Sequence, residues 1–297
     1  MPSRHILIVN ARKVTRPVFV IGAAHSGAEM VGRALKISPG FHVTIGQHSV
    51  LQAVYGFARR PSLYSGRGDA AAAVMRDAFA QGWQVNPTSC LECTAQCRSA
   101  AGLRPSEVGP CVEQRGLTRF GDASPDLTYC AEALVGAFPD AQIIQVVRDG
   151  RDSVAAMLRD PVAMSWFRAS VANVETEFPN PFYGVEDEAD RITWTGLSPA
   201  GKCAMRWRGA IRLAARLRQT LPEDQLKTLR YEDMTRTPGS AAAILTEFTG
   251  TKIAAPSSPS HRRARTEAAA WRRALTISQV AEIDKVAGEE LRRLGYV

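Results

Sequence analysis

The chain carries one design twice: an apolar run with the character of a buried strand, then a loop, then helical periodicity. The first copy is Arg16-Pro17-Val18-Phe19-Val20-Ile21-Gly22-Ala23-Ala24-His25-Ser26-Gly27, in which the run Val18 to Ile21 breaks into small residues. The second is Ile143-Ile144-Gln145-Val146-Val147-Arg148-Asp149-Gly150-Arg151-Asp152, where the loop is basic. Short continuous apolar runs bounded by turn residues suit strands buried on both faces, as in parallel sheets. A strand, a loop and a helix N-terminus in series hold anions, because free backbone N–H groups and the helix dipole converge there. Two such loops point to a phosphorylated ligand held between them.

The remaining periodicity is that of an α/β chain. A helix from about Gly27 to Lys36 gathers Met30, Val31, Ala34 and Leu35 on one face, and Phe41 to Ile45 is a second strand. Helices follow at about Ser49–Ala58 and Ala70–Gln81, and Pro125 opens another that runs to about Ala137. After the strand Ala141–Val147 come a helix over Gly150–Arg159 and a long basic helix over Lys202–Thr220, whose charges read as a solvated face. Leu226–Arg230 is a third strong strand; helices over Ala241–Phe248, stopped by Gly250, and Ser278–Leu294 complete the chain. Strands alternating with helices predict a P-loop-like three-layer α/β fold, a central parallel sheet with helices on both faces. Residues 1–297 read as one domain, with a Cys-rich insert at about 84–117 and an exposed, mobile loop or lid at about 178–199, rich in Pro, Asp and Glu.

Composition narrows the partners. A net charge of +8 is compatible with an anionic ligand. The basic residues are spread along the chain, aromatics are only 7%, and no nucleic-acid motif occurs, which argues against a nucleic-acid partner. No run approaches the roughly 18 apolar residues of a membrane span. Met1 to Lys13 lacks the apolar core and cleavage site of a secretory signal, so a cytoplasmic protein is expected. Nothing in the sequence sets an oligomeric state.

Cys90, Cys93, Cys97 and Cys111 could supply four thiolates to a structural zinc, a closed site with no open position. Free thiols are the other reading, disulfides being disfavoured in a reducing compartment. Cys130 and Cys203 read as core residues.

Gly22 to Gly27 matches the first half of a Walker-type loop, but Ala28 and Glu29 stand where Lys and Ser or Thr would follow. That argues against a kinase or ATPase and leaves either an anion loop or a plain tight turn. Five segments taken in order favour the anion loop. They are Val18 to Gly27; Gly121-Asp122-Ala123-Ser124-Pro125; Val147 to Asp152; Leu229-Arg230-Tyr231-Glu232-Asp233-Met234 with Pro238 and Phe248-Thr249-Gly250; and Trp271-Arg272-Arg273-Ala274-Leu275 through Leu294-Gly295-Tyr296. The series resembles the bacterial-type sulfotransferase family.

The resemblance implies transfer of a sulfuryl group from 3′-phosphoadenosine 5′-phosphosulfate to a hydroxyl or amine of a small molecule. It places Ala24, His25, Ser26, Gly27, Ala28 and Glu29 around the 5′-phosphosulfate. It places Arg148, Ala156, Tyr231 and a late basic loop with Arg262 and Arg263 around the 3′-phosphate. His25 stands where the family has Lys or Arg, and can donate a hydrogen bond to the group in transfer. His48, at the end of the second strand, is a candidate base or else caps the following helix; Gln47 holds the neighbouring position where members often place an acid. Ala28 and Glu29 replace a Thr/Ser pair, Ala123 a common Lys, and Ala156 a Ser. A carboxylate at residue 29 about 4 Å from a phosphate would cost on the order of 4 kcal/mol at an effective dielectric of about 20. Turned away, it would instead favour the helix N-terminus by roughly 0.3–1 kcal/mol. These departures leave a second implied reading, a sulfotransferase-fold protein with altered or lost donor use, in different chemistry or a binding role.

Overall fold

A computed structural model describes residues 6–104, 107–255 and 268–297. The chain opens with a hairpin, β1 (Ile8–Val9) and β2 (Arg12–Lys13), turned through Asn10 and Ala11 at positive φ. Arms of two residues carry no periodicity, so the sequence reading contains no hairpin.

Five parallel strands form the sheet: β3 (Val18–Gly22), β4 (Phe41–Thr44), β5 (Arg119–Asp122), β6 (Gln142–Val147) and β7 (Leu226–Arg230), ordered β4-β5-β3-β6-β7. β3 and β6, the two apolar runs, are buried along their whole length and pair side by side, Val18 opposite Gln142 and Gly22 opposite Val146. Strand alternation sends Phe19, Ile21, Phe120 and Ile143 to one face. There they meet α2 (His48–Arg59), α3 (Gly68–Gly82) and α5 (Ala131–Ala137), with Trp83 among the aromatics. Val18, Val20, Ile144 and Val146 face the other layer, formed by α1 (Ala28–Lys36), the short α4 (Ala95–Ala100), α10 (Tyr231–Arg236) and α11 (Pro238–Thr249). Burying each large side chain stabilises the fold by roughly 1.5–3 kcal/mol, and both faces of the sheet are covered in this way. The three-layer parallel fold expected from the sequence is thus the one present.

A third core lies beyond the β6 end. It joins α6 (Gly150–Met157), α7 (Pro161–Ser165), α8 (Glu188–Gly196), α9 (Pro199–Thr220) and α13 (Ile277–Arg293), with the single turn α12 (Trp271–Ala274) against α6. Two expectations are corrected here. The segment at 178–199 is not an exposed loop: Phe182, Tyr183 and Val185 are completely buried, Asn180 and Val185 exchange backbone hydrogen bonds, and α8 follows. Its acidic residues mislead because they are used internally, Asp187 capping α8 and Asp190 pairing with Arg208 at 2.5 Å. Nor are the charges of α9 all solvated, since Arg206 and Arg208 are buried and each is neutralised by an aspartate from another element.

Candidate functional site

Parallel strands end on one edge of the sheet, so the segments following β3, β5, β6 and β7 meet there. Between them lies a cavity of about 680 Å³.

The segment after β3 is a cradle built by two glycines. A Cβ on Gly22 would lie 2.6 Å from the Val146 carbonyl and against Ser26 Oγ. Gly27 has φ 98°, and a Cβ there would run into the ring of Tyr231. The Ser26 amide closes the turn onto the Ala23 carbonyl at 3.0 Å, while Ser26 Oγ is buried with no hydrogen-bond partner among the described residues. No side chain caps α1. An orphaned hydroxyl, first-turn amides without a cap and a backbone held tight by glycine fit a bound oxyanion.

Glu29 does not plug this cradle. Its Oε1 accepts hydrogen bonds from Arg33 Nε (2.9 Å) and Nη2 (2.6 Å), one turn along α1. His25 Nε2 lies 3.0 Å from Asp160 Oδ2, whose other oxygen accepts from the Val162 amide to cap α7.

Arg148 joins the second loop to the first. Buried after β6, it donates from Nη1 to the His25 carbonyl at 3.0 Å, with its guanidinium 4.2 Å from the centre of the Tyr231 ring. Its acidic neighbours are engaged elsewhere. Asp149 is taken by Arg151 at 3.0 and 2.8 Å, and Asp152 by the amides of Ala269 (2.7 Å) and Trp271 (2.8 Å). Burial raises the pKa of Asp152, against the pull of those two amides and of Arg148. Glu232 accepts from the Asp149 amide and the Tyr296 hydroxyl, both at 3.0 Å, so three of the five sequence segments are knitted together.

Ala24, His25, Ser26, Gly27, Ala28, Glu29, Arg148, Ala156 and Tyr231 therefore share the wall of one cavity. His48 does not line it. It opens α2 well exposed, 4.0 Å from Glu92, while Gln47 caps the helix by accepting from the Val50 amide at 3.1 Å. Arg262 and Arg263 lie outside the described residues. Sequence reasoning missed Asp160, Tyr55, Trp166 and the buried pair Asp126–Arg206 (Oδ1 to Nη2, 2.8 Å), all on the cavity wall. The available signal was Arg206 itself, set among Ala204, Met205 and Trp207 on an apolar helix face.

The four cysteines of the insert do converge, Cys90 reaching Cys93 and Cys111, and Cys93 reaching Cys97. Yet among the described residues no three His, Cys, Asp or Glu side chains are placed to hold a metal ion, so the zinc expectation is not met. A cation is already present in the cluster. The buried Lys36 ammonium donates to Cys111 Sγ (3.4 Å) and the Val43 carbonyl (2.8 Å). Burial opposes its charge, but the thiols of Cys97 and Cys111 outweigh that and raise its pKa. A dication would have to displace it. Cys130 and Cys203 are buried core residues, as expected.

Among the described residues no helix is long and apolar enough to cross a membrane. Residues 17–255 match the model of the sulfotransferase family. No curated protein sequence matches the chain. Among solved structures, the sulfotransferase domain of the Synechococcus PCC 7002 olefin synthase superposes with a TM-score of 0.50 at 15% identity, covering 97% of this chain and 98% of that one. A sulfotransferase from Mycobacterium avium gives 0.47 at 15% identity, with 94% and 77% covered. One from Alicyclobacillus acidocaldarius gives 0.42 at 18%, with 93% and 97% covered.

Proposed function

Since the chain belongs to the sulfotransferase family, we propose that it transfers a sulfuryl group from 3′-phosphoadenosine 5′-phosphosulfate to a hydroxyl or amine of a small molecule. The observation that carries this reading is the hydrogen bond from Arg148 to the carbonyl of His25, which makes one unit of the two anion-binding loops. A ligand with phosphates at both ends can then be gripped by parts that do not move relative to each other.

The amides opening α1 and the orphaned Ser26 hydroxyl would hold the 5′ end. Arg148, stacked on Tyr231, would face the 3′-phosphate, and its planar fork suits a phosphate better than a lysine does. Ala156 offers no hydroxyl there, so more of the grip falls on Arg148. When bound, the donor supplies the sulfuryl group and the bisphosphate on which charge is left. His25, oriented by Asp160 through Nε2, would present its other ring nitrogen to oxygen that gains charge during transfer, as a donor when both ring nitrogens carry protons. Arg33 keeps the Glu29 carboxylate from opposing that charge. Tyr55 and Trp166 line the part of the cavity that we assign to the acceptor.

Calorimetric titration with adenosine 3′,5′-bisphosphate tests the reading. Binding at micromolar ligand is expected, weakened at least tenfold in Arg148→Ala. Absence of heat at millimolar ligand would defeat it.

A further inference from the structure

Transfer to a hydroxyl needs a group that takes the hydroxyl proton, and the cavity wall offers few. Among the described residues it carries four carboxylates, Glu29, Asp126, Asp152 and Asp160. Glu29 is committed to Arg33, Asp152 to two backbone amides, and Asp160 to His25 and the Val162 amide. His25, the imidazole on this wall, is paired with Asp160, and His48 lies outside the cavity. Asp126 is left, with one oxygen on Arg206 and the Tyr55 hydroxyl, itself a wall group, as its other contact.

Asp126 follows the strand next to β3, so its loop borders the phosphate cradle, and only Oδ1 is tied to Arg206. Arg206 is itself held beneath, its guanidinium 4.0 Å from the centre of the Phe182 ring, with Nε and Nη1 unpaired among the described residues. Among the described residues Asp126 is the carboxylate that pairs with this cation, at 2.8 Å. The Tyr55 hydroxyl meets the same carboxylate. The same cavity wall carries Ile45, Leu51, Ala163 and the rings of Tyr55 and Trp166, whose centroids lie 5.0 Å apart with planes tilted by 39°.

We propose that Asp126 is the catalytic residue that receives the acceptor proton, and that the acceptor is a hydroxyl on an apolar or aromatic body. The inference rests on the donor reading above. Asp126 accepts the proton as the O–H bond breaks and the acceptor oxygen bonds to the donor sulfur. The bond from sulfur to the bridging phosphate oxygen breaks at the same time, its electron pair leaving on the adenosine bisphosphate.

The test uses the full chain with 2-naphthol as probe acceptor and 2-methoxynaphthalene as its counterpart without a hydroxyl proton. In the complex with adenosine 3′,5′-bisphosphate, a hydrogen bond to a carboxylate should favour naphthol over the ether by roughly tenfold or more. Asp126→Asn should cut that preference at least fivefold and lower kcat at least 100-fold, with bisphosphate affinity unchanged. Because Asp126→Asn leaves Arg206 buried and unpaired, Asp126→Asn combined with Arg206→Gln is measured beside it, removing both charges while keeping a hydrogen-bonded pair. The same losses in the double variant, with a wild-type melting temperature, support the proposal. Retention of the preference or of kcat within fivefold in a folded variant overturns it. So does a wild-type protein that binds the bisphosphate but transfers nothing to naphthol. Failure of the wild type to bind the bisphosphate would instead sink the donor reading.

Discussion

Gly27 holds φ 98° with the Tyr231 ring lying where a side chain would begin, and the same ring supports Arg148. Gly27→Ala therefore disturbs both ends of the proposed grip. Strain at positive φ and the displaced ring should cost about 1–3 kcal/mol of stability. Bisphosphate affinity should fall at least tenfold by titration, and an unchanged affinity would remove the loop from the binding site. A second residue-scale expectation concerns His42, whose pKa burial, helped by the Lys36 ammonium, lowers to about 3. In the unfolded chain the ring takes a proton near its ordinary pKa of 6.5. Between pH 6.5 and 3 the unfolded state thus binds more protons than the fold, and stability falls as the pH falls through that window. At pH 5 the loss from this one group is about 2 kcal/mol relative to neutral pH. Denaturant unfolding of wild type and His42→Gln should show the stability gap between them shifting against the wild type by that order as pH drops from 7.5 to 5. A pH-independent gap would contradict it.

Helix α1 shows what an element does that its residues alone do not. Its i,i+4 pair turns Glu29, the departure most hostile to an anion, onto Arg33. Arg33→Ala should release that carboxylate toward the cradle and weaken bisphosphate binding about tenfold, well below the unscreened limit because Glu29 is half exposed. Glu29→Gln on top of Arg33→Ala should restore binding to within threefold, and a double variant as weak as the single one would refute the mechanism. Legibility follows the same scale. β3 and β6 could be read because strands buried on both faces must be apolar throughout. β5 could not. Its Arg-Phe-Gly-Asp has one large apolar residue, and its place comes from Val18 and Val43 on either side and from Trp83, which donates to the Gly121 carbonyl at 2.8 Å. The glycine-bounded turn after β3 was legible as a local motif. Asp160 and Arg206 were not, since their partners lie 135 and 80 positions away. His48 misled because its neighbour Gln47 turned inward and capped α2. The cysteine spacing suggested a zinc site and could not reveal Lys36, which comes from α1 and bonds Cys111.

Across the whole molecule, α9 connects the site to the part of the chain expected to be a lid. Arg206 reaches the cavity from α9, while Arg208 pairs with Asp190 and Arg212 bonds Glu290 at 2.6 Å, fastening α8 and α13 to the same helix. The contact that lets residues 180–185 lie against α9 is Gly184. It has φ 73°, and a Cβ there would collide with the Met205 carbonyl, one residue before Arg206. Neither backbone can yield without moving α9. Gly184→Ala should therefore lower global stability by about 2–4 kcal/mol through overpacking and strain. Because the displaced turn of α9 carries Arg206, the variant should lose naphthol binding more steeply than bisphosphate binding, whose proposed contacts follow β3 and β6. A lid would behave otherwise, with an unaltered melting temperature and a change confined to KM. Melting curves with the two titrations separate these outcomes, and an unshifted melting temperature would show that residues 178–199 hang on the fold without supporting it.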